Sequence, residues 1–121
     1  MTTRAVVRIY DRGKEFDTLY VPCDGYVEGV GKDLLETLAL KKVDSSFPVS
    51  KVSLYLFSSL GFADLIPYPA GTRELGQEYE YHISVVDPDA PESALQIRAF
   101  RYRHGRYEEV ALGGPLTPSV T

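Results

Sequence analysis

The sequence predicts an α+β domain: a single antiparallel sheet of about five strands in the order ββααβββ, with two helices packed on one face. Three observations predict it. Residues 7–10 and 16–21 are rich in β-branched and aromatic side chains and flank the turn-forming Asp11-Arg12-Gly13-Lys14. Apolar residues then recur at helical spacing on either side of Asp44-Ser45-Ser46-Phe47-Pro48. Finally, residues 78–86 alternate apolar and polar, and two further strand-like runs follow before Gly113.

The first hairpin spans residues 6–21. With Arg12-Gly13 at its tip, Arg8 faces Asp17 and Ile9 faces Phe16, both favourable cross-strand pairs. Pro22 ends the second strand because it cannot donate to a ladder. The Asp24–Asp33 stretch follows, with Gly25, Gly29 and Gly31. Residues 32–42 read as a helix whose apolar face is Leu34, Leu35, Leu38 and Leu40. Residues 49–60 read as a second, with Val52, Leu56 and Leu60 at four-residue spacing and Gly61 as a stop. Residues 62–77 make a long connection, of the length that carries function or a short element of its own. In the next strand Tyr79, Tyr81, Ile83 and Val85 face inward, and Glu78, Glu80, His82 and Ser84 outward. Residues 95–103 and 107–112 supply the last two strands, joined at His104-Gly105. A bulge near Arg98-Ala99 would put Leu95, Ile97, Ala99, Phe100 and Tyr102 all on the core side. Pairing Val86 with Leu95 then sets Glu80 opposite Arg101 and Glu78 opposite Arg103.

With 121 residues, the chain is of single-domain size. Residues 1–115 are expected to form that domain and 116–121 a loose tail. Nine Tyr and five Phe without Trp fit a sheet-rich body. A net charge of −4 gives no general attraction to nucleic acid or anionic lipid. The lone Cys23 excludes an internal disulfide. No apolar run reaches membrane-span length, and Met1-Thr2-Thr3-Arg4 lacks a signal-like stretch, so a cytoplasmic protein is expected.

Antiparallel helices on one face would bring three segments to one edge of the sheet: residues 23–32, 68–76 and 103–106. At Asp24-Gly25-Tyr26-x-Glu28-Gly29-x-Gly31-Lys32 and at Tyr68-Pro69-x-Gly71-Thr72-Arg73-x-x-Gly76-x-Glu78-Tyr79-x-Tyr81, the chain resembles a family of small uncharacterised bacterial and bacteriophage proteins. The resemblance covers the first two thirds of the chain. Val27 stands where the family has proline and Cys23 where it has an aromatic. The resemblance implies a bacterial or phage origin. The family carries no assigned activity, so no residue role follows.

The glycine stretch fails as a phosphate loop. Five residues separate Gly25 from Gly31 where four are needed, and Asp33 stands where a hydroxyl should. It fails as a calcium loop because Tyr26, Lys32 and Leu35 fall at ligand positions. Cys23 has only His82 and His104 as potential bases, neither with an orienting carboxylate in the sequence pattern. No cofactor or metal is expected.

These readings converge on a non-catalytic protein that binds a protein partner, such as a stoichiometric inhibitor or modulator of a host or phage-defence component. Tyr and Arg are favoured interface anchors. The expected contacts are Tyr26, Glu28, Tyr68, Arg73, Arg103 and Arg106. A homodimer across the same edge is a second form of such binding. The alternative is a small-molecule binder or hydrolase using Asp24, Glu28, Arg73 and His104. A third reading, nucleic-acid binding through Arg98, Arg101, Arg103 and Arg106, is weighed down by Glu78, Glu80, Glu108 and Glu109 on neighbouring strands.

Overall fold

Arg12 and Gly13 take left-handed φ angles of 54° and 80°, and the chain reverses there. They join β1, Ala5–Asp11, to β2, Lys14–Val21, in the computed structural model, which describes residues 3–39, 41–59 and 65–112. The expected helix end at Leu60-Gly61, the start of the long connection at Phe62 and the tail over 116–121 lie outside the described residues.

The hairpin register differs from expectation. Asp11 faces Lys14 and Tyr10 faces Glu15, but Ile9 faces Asp17 and Arg8 faces Thr18. Phe16 is therefore the extra residue of a β-bulge. The expected Arg8–Asp17 and Ile9–Phe16 pairs do not form. An extra residue reverses side-chain parity along its strand. Glu15 and Thr18 thus share the face of Arg8, which a regular strand would forbid.

A π-helical turn, Val27–Gly31, leads into α1, Lys32–Leu38. Lys42–Val43 form a short strand, β3, where the sequence suggested the end of the helix. A 3-10 turn, Val49–Lys51, opens α2, Val52–Ser59. The remaining strands are β4, Ile66–Tyr68; β5, Tyr79–Val85; β6, Ser93–Arg103; and β7, Arg106–Val110.

These strands form one sheet in the order β3-β6-β5-β1-β2-β4, with β7 also paired to β6. Six of them curl into a half-barrel. The pairing is mixed, because β1 and β5 run parallel with Val7 beside Tyr81. The expected single antiparallel sheet of about five strands is overturned. Two physical reasons account for it. β5 begins at the edge where β2 ends, so beside β2 it would run antiparallel; the helices and the connection after them carry the chain past β2 to lie beside β1, where the same direction is parallel. The additional strands, β3 and β4, have two and three residues, too few to leave an alternating pattern.

The two faces have different cores. On one, Ala5, Val7, Ile9, Leu19, Tyr81, Ile83 and Ala99 pack against Leu34 and Leu38 of α1 and Val52 and Leu56 of α2. On the other, Val6, Arg8, Thr18 and Glu80 are buried although the helices lie on the opposite side. Residues 69–77 cross this face as a strap. The strap hides the outward residues of β5 that alternation assigns to solvent.

Between β5 and β6 no bulge occurs. Tyr79 faces Arg101 and Glu80 faces Phe100, one residue from the expected register. Phe100 therefore lies on the strap side, its ring 4.4 Å from that of His82. Both faces bury apolar groups, so the broken alternation of β6 needs no bulge.

Candidate functional site

The strap is held by a buried ion network. Arg8 is fully buried. Its Nη1 donates to Glu15 Oε2 at 2.8 Å and to the Thr72 carbonyl at 2.7 Å, and its Nη2 to Glu80 Oε2 at 2.9 Å. The Gly71 N–H donates to Thr18 Oγ1 at 3.0 Å, and the Thr18 hydroxyl donates to Glu15. Gln77 Nε2 donates to the Arg73 carbonyl and to Glu80 Oε2, at 2.8 and 3.0 Å. Burial alone would raise the Glu80 carboxyl. Hydrogen bonds from His82, Arg8 and Gln77 outweigh it and hold the group at about 2. Glu15 is likewise held low, because bonds from Thr18 and Arg8 outweigh its burial. Sequence reading missed this cluster. Its signal is the set Arg8, Glu15 and Glu80 on strand positions, with Gln77 at the end of an overlong connection.

The network fixes what lies above it. Tyr68 on β4 sits opposite Thr18, and its ring meets that of Tyr20 edge-on, centroids 6.0 Å apart. Ile66 sits opposite Tyr20. Both are exposed, Ile66 at 41% and Tyr68 at 37%, on the last strand of the sheet among the described residues. Arg73 projects from the strap with its Nη1 3.2 Å from Glu15 Oε1, its side chain 64% exposed. Tyr68 and Arg73 thus share one region.

The other expected contacts lie elsewhere. Tyr26 and Glu28 sit on the exposed turn before α1. That turn is on the helix face, because the Tyr81 hydroxyl donates to the Gly25 carbonyl at 2.7 Å and Val30 joins the helix-side core. The sheet separates it from Arg73. The chain around both glycine-bearing connections bonds the N-terminal segment: Gly25 N–H donates to the Thr3 carbonyl and Glu78 N–H to the Arg4 carbonyl. Arg103 and Arg106 face each other across the β6–β7 turn, both exposed. His104 occupies that turn with φ 52°, and Asp24 takes φ 57° at the glycine loop. Asp24 and Glu28, Arg73, and His104 thus fall on three separate segments: the glycine loop, the strap and the β6–β7 turn.

Packing explains the glycine loop. A Cβ on Gly25 would meet the Ala5 nitrogen at 2.8 Å and the Arg4 carbonyl carbon at 2.9 Å; one on Gly29 would strike the Asp24 carbonyl oxygen. On Gly31 it would meet the Tyr81 ring at 3.0 Å. Among the described residues, no group of three or more His, Cys, Asp or Glu is placed to hold a metal ion. His82, read from the pattern as lacking a carboxylate, has Glu80 Oε1 2.9 Å from its Nε2. Glu80 already accepts from Arg8 and Gln77, so the pair belongs to the network.

Arg98, Arg101 and Arg106 of β6 and β7 have local partners. Arg98 bonds Glu109 through Nε and Nη2 at 2.9 and 2.6 Å. Arg106 lies 3.3 Å from Glu108, and Arg101 stands opposite Glu108 with its guanidinium over the Tyr79 ring. Among the described residues, no helix is long and apolar enough to cross a membrane. Compared with known proteins, the chain matches no family model, no curated protein and no solved structure.

Proposed function

We propose that this chain is a non-catalytic protein that binds a protein partner through the β4 edge and the strap beside it. One observation carries the reading: exposed Ile66 and Tyr68 lie on a terminal strand, next to Arg73, over a rigid buried base. Terminal strands offer unpaired backbone groups to a partner. Tyrosine and arginine held in place lose little entropy on binding, which makes them effective anchors. Of the six residues singled out from sequence, the reading uses Tyr68 and Arg73. A stoichiometric inhibitor or modulator of a host or phage-defence component is the form of partner binding that the motif resemblance suggests.

The test is affinity capture from bacterial extract with the wild type, Tyr68→Ala, Arg73→Ala and the control Leu54→Ala. Leu54 is 66% exposed on α2, away from the strap. The expected result is one stoichiometric protein retained by wild type and by Leu54→Ala and lost with the other two. Retention of no protein, with a copurifying metabolite, overturns the reading. So does equal retention by all four. Self-association that is abolished by Tyr68→Ala would identify the partner as a second copy.

A further inference from the structure

The register of β4 fixes where its backbone groups point. Thr18 sits opposite Tyr68, Leu19 opposite Pro67 and Tyr20 opposite Ile66. In an antiparallel pair every second residue bonds its opposite directly, giving and taking one hydrogen bond. Pro67 has no N–H to give, so the bonded pairs are Thr18–Tyr68 and Tyr20–Ile66. The other side of the hairpin agrees. The Arg4 carbonyl accepts from the Glu78 and Tyr79 N–H groups, which turns even positions of that segment toward β5. Odd positions such as Val7 then turn toward β2, where Val7 meets Leu19. Leu19 spends its backbone groups there, and Thr18 and Tyr20 keep theirs for β4. Pro67 therefore turns its backbone away from the sheet. It presents a carbonyl and no donor.

The neighbours of Pro67 do not supply what it lacks. Pro69, two residues on, also has no N–H, and its carbonyl already accepts from the Thr72 N–H at 3.1 Å and the Thr72 hydroxyl at 2.6 Å. Of the alternate positions Leu65, Pro67 and Pro69, only Leu65 has an N–H. A strand laid against β4 would leave its own carbonyls without partners opposite both prolines. Side chains remain to make the contact. Ile66 and Tyr68 are exposed on the strap face, with Arg73 in the same region. Their base is fixed, because the Gly71 N–H is tied to Thr18 and the Thr72 carbonyl to Arg8. Anchors held in place suit a partner that is itself folded, since neither side then orders a segment on binding. We propose that β4 is a closed edge: it meets the folded surface of its partner through Ile66, Tyr68 and Arg73, with the Pro67 carbonyl accepting one donor, and no extended segment adds to the sheet there. This rests on the reading of the same region as the partner-binding surface.

Pro67→Val separates the two modes of binding. It restores an outward N–H on β4 and leaves the bonds to β2 in place. A protein captured from bacterial extract by the wild type should be held no more tightly by Pro67→Val, and should be lost with Tyr68→Ala. A partner that adds as a strand would gain a hydrogen bond, and Pro67→Val would bind it roughly fivefold more tightly. A second measurement needs only the wild type. Peptides from a tryptic digest of the captured protein should not be retained, because its folded surface is gone. Tighter binding by Pro67→Val overturns the proposal, and so does retention of a digest peptide. Either result leaves the partner-binding reading standing. Capture of no protein by the wild type overturns both.

Discussion

Arg8 Nη2 and Glu80 Oε2, 2.9 Å apart, join the two parallel strands from beneath the strap. Each group also grips the strap directly. Arg8 donates to the Thr72 carbonyl, and Glu80 accepts from Gln77. One ion pair therefore couples the crossover pairing of β1 and β5 to the placement of Tyr68 and Arg73.

Replacing Arg8 should be among the most costly single changes in this chain. Arg8→Ala leaves Glu15 and Glu80 as buried carboxylates without their main partner, a loss of roughly 3–5 kcal/mol. Arg8→Lys should recover only part of this, because one ammonium cannot reach Glu15, Glu80 and Thr72 in the planar fork of a guanidinium. Urea unfolding measures both. A loss below about 1 kcal/mol for Arg8→Ala would show the pair to be no stronger than an exposed one.

Acid should loosen this same face first. The Glu80 carboxyl is held at about 2 in the folded chain against an ordinary value of 4.5. A depressed pKa contributes stability that is present above the unfolded value and lost as pH falls toward the folded one. The contribution should therefore fade between 4.5 and about 2, with Glu15 acting in the same direction. Glu80→Gln should be less stable than wild type at neutral pH and should flatten the pH dependence across that window. Unfolding midpoints at a series of pH values check it. Parallel pH curves for the two proteins would contradict it.

The sequence makes the turns legible and the long-range pairings illegible. Arg12-Gly13 and His104-Gly105 announce their reversals, and both take left-handed φ. The strand over 79–85 follows from its alternation alone. The bulge at Phe16 leaves no local mark, yet it decides that Glu15 and Thr18 face Arg8. The placement of β5 beside β1 depends on the whole crossover. The strap then makes buried residues of Glu80 and Gln77, which any local pattern assigns to solvent. For the same reason the expected binding residues divide. Tyr68 and Arg73 are carried together by the strap, whereas Tyr26 and Glu28 follow α1 to the other face.

The glycines of the loop before α1 should resist substitution more than the turn glycine of the first hairpin. A Cβ on Gly25 presses on backbone atoms of Arg4 and Ala5, which cannot rotate away. Gly25→Ala should cost about 1–3 kcal/mol through overpacking. At Gly13 a Cβ meets nothing within 4 Å, and only the φ of +80° opposes it. Gly13→Ala should cost roughly 1 kcal/mol. Thermal unfolding of the two variants ranks them. The opposite order would mean that the loop shifts to admit a methyl, leaving a close approach of backbones unable to explain Gly25.

Tyr81→Phe should open the same loop from below. The Tyr81 ring is fully buried, and its hydroxyl donates to the Gly25 carbonyl at 2.7 Å. Burial pushes the hydroxyl pKa well above that of a free tyrosine, so it keeps its proton and remains a donor. Removing it leaves the buried Gly25 carbonyl without that donor, at a cost of roughly 1–3 kcal/mol. Tyr102→Phe is the control, since Tyr102 is 51% exposed on the other face. The Val30 amide, which donates to the Asp24 carbonyl within the loop, should exchange faster in Tyr81→Phe and unchanged in Tyr102→Phe. If Val30 exchanges alike in both, the hydroxyl does not brace the turn, and the packing of its glycines alone sets the entry into α1.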